Sequence, residues 1–245
     1  FTHGACVNRP DDIASVLRNI SNKSALNLGW SANGPLIQFA TLKEYLLPSV
    51  DKVIWVFYEG NDFDDLKNEM KNKKLDRYYK DFNYKQNLLL KQKEIDELVK
   101  TKINEAVDPK NTIKSFIFLR NFRNFLTTHL SLKNQNNFET NPKKIDLSTD
   151  FVNILKYTKK LVNKNNSELY FVFIPTDLGV GLTKDDTLYK MIEKKVRELD
   201  INFIDIKSVL ENEEDVKKFI PLGGGHFNSK GYQKIAETIY DLTKK

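Results

Sequence analysis

The sequence predicts an α/β protein: a parallel sheet with helices on both faces, in a three-layer α/β/α arrangement. Two observations carry this. Short apolar runs recur at residues 25–28, 53–58, 169–174 and 201–205, and stretches with helical spacing of apolar residues separate them. Such alternation is the mark of strands joined by helical crossovers. The run Val53-Ile54-Trp55-Val56-Phe57-Tyr58 is moreover continuously apolar, as a strand covered on both faces should be.

The elements follow in order. Pro10 with Asp11 and Asp12 marks a helix start, and Ile13, Val16, Leu17 and Ile20 recur at helical spacing. Ala25-Leu26-Asn27-Leu28 reads as a short buried strand. Pro35 opens a second helix through about Leu47, with Leu36, Phe39, Ala40 and Leu46 inward. After the 53–58 strand the rhythm breaks. Residues from about 64 to 150 carry helical patterns at 66–79, 87–107 and 113–130, followed by a polar, Asn-rich loop at 133–144. This stretch reads as a helical insertion within a single domain spanning 1–245. Its aromatic segment (Phe116, Phe118, Arg120, Phe122, Arg123, Phe125) is expected to pack as a cap rather than to meet lipid or a partner helix. Alternation then resumes with a helix at 151–162, the strand Leu169–Ile174 ending at Pro175, a helix at 188–199, a strand at 201–205 and a last helix capped by Asn228 through about Leu242.

Composition narrows the class. With 245 residues and 40% hydrophobic content the chain can bury a sizeable core. No run of about 18 apolar residues exists, so no membrane span is expected. The net charge is +6, but the lysines are dispersed among Asp, Glu and Asn. That is the pattern of solvated helix faces, and no nucleic-acid partner is expected. Cys6 is the one cysteine, which forbids an internal disulfide and leaves a cysteine zinc site unsupported; a small buried residue is the expected role. Of the three histidines, His129 has no metal-like partner at useful spacing, and no metal site is expected.

Small residues, an amide and an imidazole fall at the ends of the predicted strands, where an open parallel sheet places its chemistry. The chain opens with Phe1-Thr2-His3-Gly4. Asn27-Leu28-Gly29-Trp30-Ser31-Ala32-Asn33-Gly34-Pro35 follows the first strand-like run, Glu59-Gly60-Asn61-Asp62 the second, and Gly225-His226-Phe227-Asn228 precedes the last helix. Taken in order, these blocks resemble the SGNH, or GDSL-type, hydrolases over most of the chain outside the 64–150 stretch. The resemblance implies a flavodoxin-like sheet and a serine ester hydrolase that needs no cofactor. Thr2 and Gly4 would lie just after the nucleophile block. Asn61 would be an oxyanion donor and His226 the catalytic base. Ala32, where the family usually has glycine, or Gly34 would supply a backbone N–H to the oxyanion. The substrate implied is a small acyl ester, such as an O-acetyl group on a glycan. An O-acyltransferase on the same site and a catalytically inactive binding module of the same fold are the alternatives.

The resemblance also implies a longer parent chain. The family's Gly-Asp-Ser triplet and the central strand it ends would lie upstream of Phe1, as would any leader or anchor that made the protein periplasmic or membrane-anchored. The family's acid, three residues before the histidine, falls on Gly223. A carbonyl or a carboxylate from elsewhere is therefore expected at His226 Nδ1, with Asp205 and Asp177 nearest by topology. Trp30 is expected to pack, and His3 to lie at the surface.

Overall fold

The computed structural model describes residues 1–107, 147–176, 186–220 and 225–244. The expected helix at 113–130, the 133–144 loop, the aromatic segment from Phe116 to Phe125, His129, Asp177 and Gly223 lie outside them. The chain divides into two compact units, Phe1–Lys85 with Asp146–Lys245, and Gln86–Ile145. The second unit contains a 3-10 turn at Leu88–Lys91 and a helix at Gln92–Val107.

The first unit is mixed α/β. Its sheet has three parallel strands in chain order, β1 (Lys52–Tyr58), β2 (Glu168–Ile174) and β3 (Asn202–Asp205). β2 pairs with β1 from Lys52↔Glu168 to Tyr58↔Ile174, and with β3 from Tyr170↔Asn202 to Phe173↔Asp205. All three strands therefore end on one side. Helices α1 (Ile13–Ser21), α2 (Pro35–Tyr45), α3 (Asp62–Glu69) and α4 (Lys73–Lys80) belong to this unit. So do α6 (Leu147–Lys164), α7 (Thr187–Glu198), α8 (Ile206–Glu211) and α9 (Ser229–Thr243), while α5 is the Gln92–Val107 helix.

Strand geometry sends alternate side chains to opposite faces, and β2 buries both. Leu169, Phe171 and Phe173 join a cluster with Phe39 of α2, Ile154 of α6 and Val196 of α7. Tyr170, Val172 and Ile174 join another with Ile13 of α1, Leu210 of α8 and Ile235 of α9. β1 is less covered: Val53, Trp55 and Phe57 are buried, whereas Ile54, Val56 and Tyr58 are only half-buried against the second cluster. Its continuous apolar run thus serves one fully covered face and one partly covered face.

Several expectations need correction. Residues 25–28 form no strand, and Leu26 is 63% exposed. A strand needs a ladder partner. Here Arg18 Nε instead donates to the Ala25 carbonyl at 2.8 Å, and the Asn27 side-chain Nδ2 donates to the Thr2 carbonyl at 2.6 Å. The first helix begins at Ile13, not at Pro10, because the Asp12 carboxylate accepts from Ser15 N at 3.1 Å and so caps it. The 66–79 pattern is broken in two at Asn72, whose side chain accepts from Lys74 N at 2.9 Å and starts α4. Within the stretch expected to be inserted, α3 and α4 belong to the main unit, with Leu66 and Tyr78 in its core. Asn228 caps α9 as expected, accepting from Gly231 N at 3.1 Å.

Phe171 stands at the centre of this packing. It is fully buried, with ring centroids of Phe57, Phe203 and Phe151 at 5.8, 5.9 and 6.1 Å. Phe171→Ala should destabilise the chain by ~3–5 kcal/mol, the range for truncating a buried phenylalanine. Chemical denaturation monitored by circular dichroism checks it; a loss below ~1 kcal/mol would contradict this core.

Candidate functional site

The start of the chain is seated between the end of β1 and the loop before α9. The Phe1 ring lies 4.5 Å from that of Tyr58, 5.1 Å from His226 and 5.4 Å from Phe227. A tight turn follows, with Gly4 N donating to the Phe1 carbonyl at 2.8 Å. Gly4 has φ +81°, and a Cβ there would fall 2.7 Å from Asp12 Cβ, so glycine is needed on both counts. The Tyr232 hydroxyl of α9 donates to the Ala5 carbonyl at 2.9 Å and pins the turn from the other side.

His226 is held by its neighbours. Phe227 is fully buried in the core, and Asn228 caps α9 while its own N–H donates to the Phe219 carbonyl at 2.9 Å. The imidazole is half-exposed beside the Phe1 ring. Desolvation, and then the Phe1 ammonium of this chain, hold its pKa below the ordinary value of 6.5, so the ring is neutral at pH 7. A neutral imidazole is the form a general base needs.

Among the described residues, the polar atom beside its Nδ1 is Cys6 Sγ, at 3.7 Å. Cys6 is exposed with φ +69°, not a small buried residue as the sequence suggests. Asp205 is not the partner of Nδ1. Its carboxylate accepts from the Tyr189 hydroxyl at 2.6 Å and from Ser208 N at 3.1 Å, capping α8.

Asn61 follows directly on the turn at the end of β1 and precedes α3. It is exposed, and its Nδ2 donates to Asp65 Oδ2 at 2.8 Å, which leaves the second amide hydrogen for another acceptor. The turn is fixed by Glu59, whose N–H donates to the Ile174 carbonyl at 2.9 Å. Its carboxylate accepts from Thr176 N at 3.0 Å. Asp62 is turned inward. It accepts from Tyr58 N at 3.1 Å and Gln38 Nε2 at 3.5 Å, and burial raises its pKa to about 7.

The two backbone candidates differ. Ala32 is exposed with φ +60°, the left-handed region a glycine would favour. Its N–H has no hydrogen-bond partner among the described residues. The Gly34 N–H is occupied: it donates to Glu69 Oε1 at 2.6 Å, and Glu69 Oε2 accepts from Leu36 N at 2.9 Å and Ile37 N at 3.3 Å. Glu69 thus caps α2 from α3. Its burial raises its pKa to about 7 against those favourable contacts.

The structure therefore joins His226, Phe1, Cys6 and Tyr58 in one group, and Asn61 and Gly34 in another around Asp65. Asp62 lies between them, accepting from Tyr58 N of the first and feeling the charge of Asp65 in the second. Trp30 is not packed in the core. It is 67% exposed, its ring 4.4 Å from that of His3, itself at the surface as expected. Among the described residues no cluster of three or more His, Cys, Asp or Glu could hold a metal ion, and no helix is long and apolar enough to cross a membrane. Cys6, Asp62 and Glu69 are the site residues that sequence reasoning missed.

Asp62 gives a pH test. Its folded pKa lies above the unfolded carboxylate value, so its contribution to stability is full below about pH 4 and is lost as pH rises through about 7. Asp62→Asn, which keeps the carbonyl acceptor, should gain in Tm relative to wild type between pH 5 and pH 8. A Tm difference flat across that range would contradict a buried, ionisable Asp62. Comparisons with protein-family models, with curated proteins and with solved structures return no match to this chain.

Proposed function

We propose that the chain forms the greater part of an SGNH-type serine ester hydrolase with a three-layer, flavodoxin-like sheet, acting on a small acyl ester such as a glycan O-acetyl group. The observation that carries the reading is the seating of Phe1 against both Tyr58 and His226. A serine immediately before Phe1 would replace the Phe1 ammonium by a peptide bond and stand beside an imidazole whose burial still favours the neutral form, at the C-terminal side of the sheet.

In this reading the serine Oγ attacks the ester carbonyl and its proton passes to His226 Nε2. The developing oxyanion is held by the free hydrogen of the Asn61 amide and by the Ala32 N–H. Gly34 drops out of that role because Glu69 holds its N–H. Collapse expels the alcohol, which takes the proton back from Nε2. Water then enters by the same route, with His226 again the base, and releases the acid.

The parent chain, extended upstream of Phe1, is expected to carry that serine and to hydrolyse 4-nitrophenyl acetate. His226→Ala should lower kcat by ~10³-fold or more, as loss of a general base does. Asn61→Ala should lower it by ~10²-fold, the loss of one oxyanion donor. The 245-residue chain alone should show no turnover above buffer. Unchanged rates in either variant would remove that residue from the mechanism, and a parent with no serine there would leave a binding module.

A further inference from the structure

The sulfur of Cys6 lies beside His226 Nδ1, the ring atom at which a serine hydrolase's base is oriented. Gly225 at φ +85° and the buried Phe227 fix the backbone on either side of His226, and Cys6 Sγ lies 3.7 Å from the ring at Nδ1. Cys6 is itself fixed, by the turn that the Tyr232 hydroxyl pins at Ala5. The two residues are 220 positions apart in the chain, so only tertiary structure brings them together. Sulfur is a weak acceptor and the thiol a weak donor, so the pair can exist in two forms with opposite consequences. If the thiol donates to Nδ1, the ring carries its proton on Nε2 and cannot act as a base there. If Nδ1–H donates to the sulfur, Nε2 keeps its lone pair.

We propose that Cys6 is a positioning residue for His226: its sulfur accepts from Nδ1–H, holding the ring in the tautomer that leaves Nε2 free. This rests on the reading of His226 as the base, and it supplies an orienting side chain, which Gly223 lacks and which Asp205 is not. Among the described residues, the groups facing the ring are the Cys6 sulfur, the Phe1 ring and the Phe1 ammonium of this chain.

The test has two arms. In the first, imidazole ¹⁵N spectra of the 245-residue chain are recorded against pH for wild type, Cys6→Ala and Cys6→Ser, with Tm measured alongside. Alanine has the same Cβ as cysteine at φ +69°, so the backbone strain is unchanged. The Nδ1–H tautomer of His226 should dominate in wild type, persist in Cys6→Ser, and give way to a mixture with a shifted pKa in Cys6→Ala at unchanged Tm. A tautomer ratio identical in wild type and Cys6→Ala, or an Nε2–H tautomer in wild type, would overturn the proposal.

In the second arm, the parent chain's ester hydrolysis is measured for the same variants. Cys6→Ala should lower kcat about tenfold, the scale of one ordinary hydrogen bond, with KM within about twofold and Cys6→Ser restoring most of the loss. An unchanged kcat in Cys6→Ala beside an active wild type would also overturn it. If the spectra change as expected but no variant, wild type included, hydrolyses any ester, the pairing stands and the hydrolase reading falls.

Discussion

Everything in the main unit depends on β2 being buried on both faces while pairing in parallel with a neighbour on each side. A strand in that position cannot slip by one residue without exchanging Phe171 and Phe173 for Val172 and Ile174 across the sheet. Fixing its register fixes the ends of β1 and β3 with it. The parallel sense brings all three C-terminal ends to one side, and the turn carrying Glu59, Gly60 and Asn61 is tied there by hydrogen bonds to Ile174 and Thr176. The candidate site is a consequence of that constraint.

Two inward carboxylates make the second layer of support. Glu69 reaches from α3 to three backbone N–H groups at the start of α2, and Asp62 holds Tyr58 N at the end of β1. Both are buried, and in both burial outweighs the hydrogen bonds that favour the charged form. Such groups are costly unless their partners are kept in place. Glu69 ties the Gly34 loop and the start of α2 to α3, and Asp62 ties the end of β1 to α2 through Gln38, so a shift of any of these leaves a buried acceptor short of donors.

The parts legible in the sequence are those set by local pattern. The apolar runs at 53–58, 169–174 and 201–205 became strands within a residue or two, and the Asn228 cap was readable from its own neighbourhood. What escaped depends on distance in the chain. Residues 25–28 have the composition of a strand, but Arg18 takes the Ala25 carbonyl and the Asn27 side chain ties the segment to the Thr2 carbonyl instead of to a neighbouring strand. The Cys6–His226 contact spans 220 positions and the Glu69–Gly34 contact spans 35, and no periodicity announces either. Ala32 is intermediate: its place in a glycine-like motif was visible, whereas its left-handed φ needed the backbone.

The proposed hydrolase requires His226 and Asn61 to serve one reacting carbonyl at the end of the sheet. A crystal structure of the parent chain inactivated by a fluorophosphonate tests it most directly, because the phosphonyl oxygen stands where the oxyanion would form. The expected result is that oxygen within ~2.7–3.1 Å of Asn61 Nδ2 and the Ala32 N–H, with His226 Nε2 within ~2.6–3.2 Å of the serine oxygen. A phosphonate attached elsewhere, or His226 and Asn61 on opposite edges of the sheet and more than ~15 Å apart, beyond any shared hydrogen-bonded site, would contradict it.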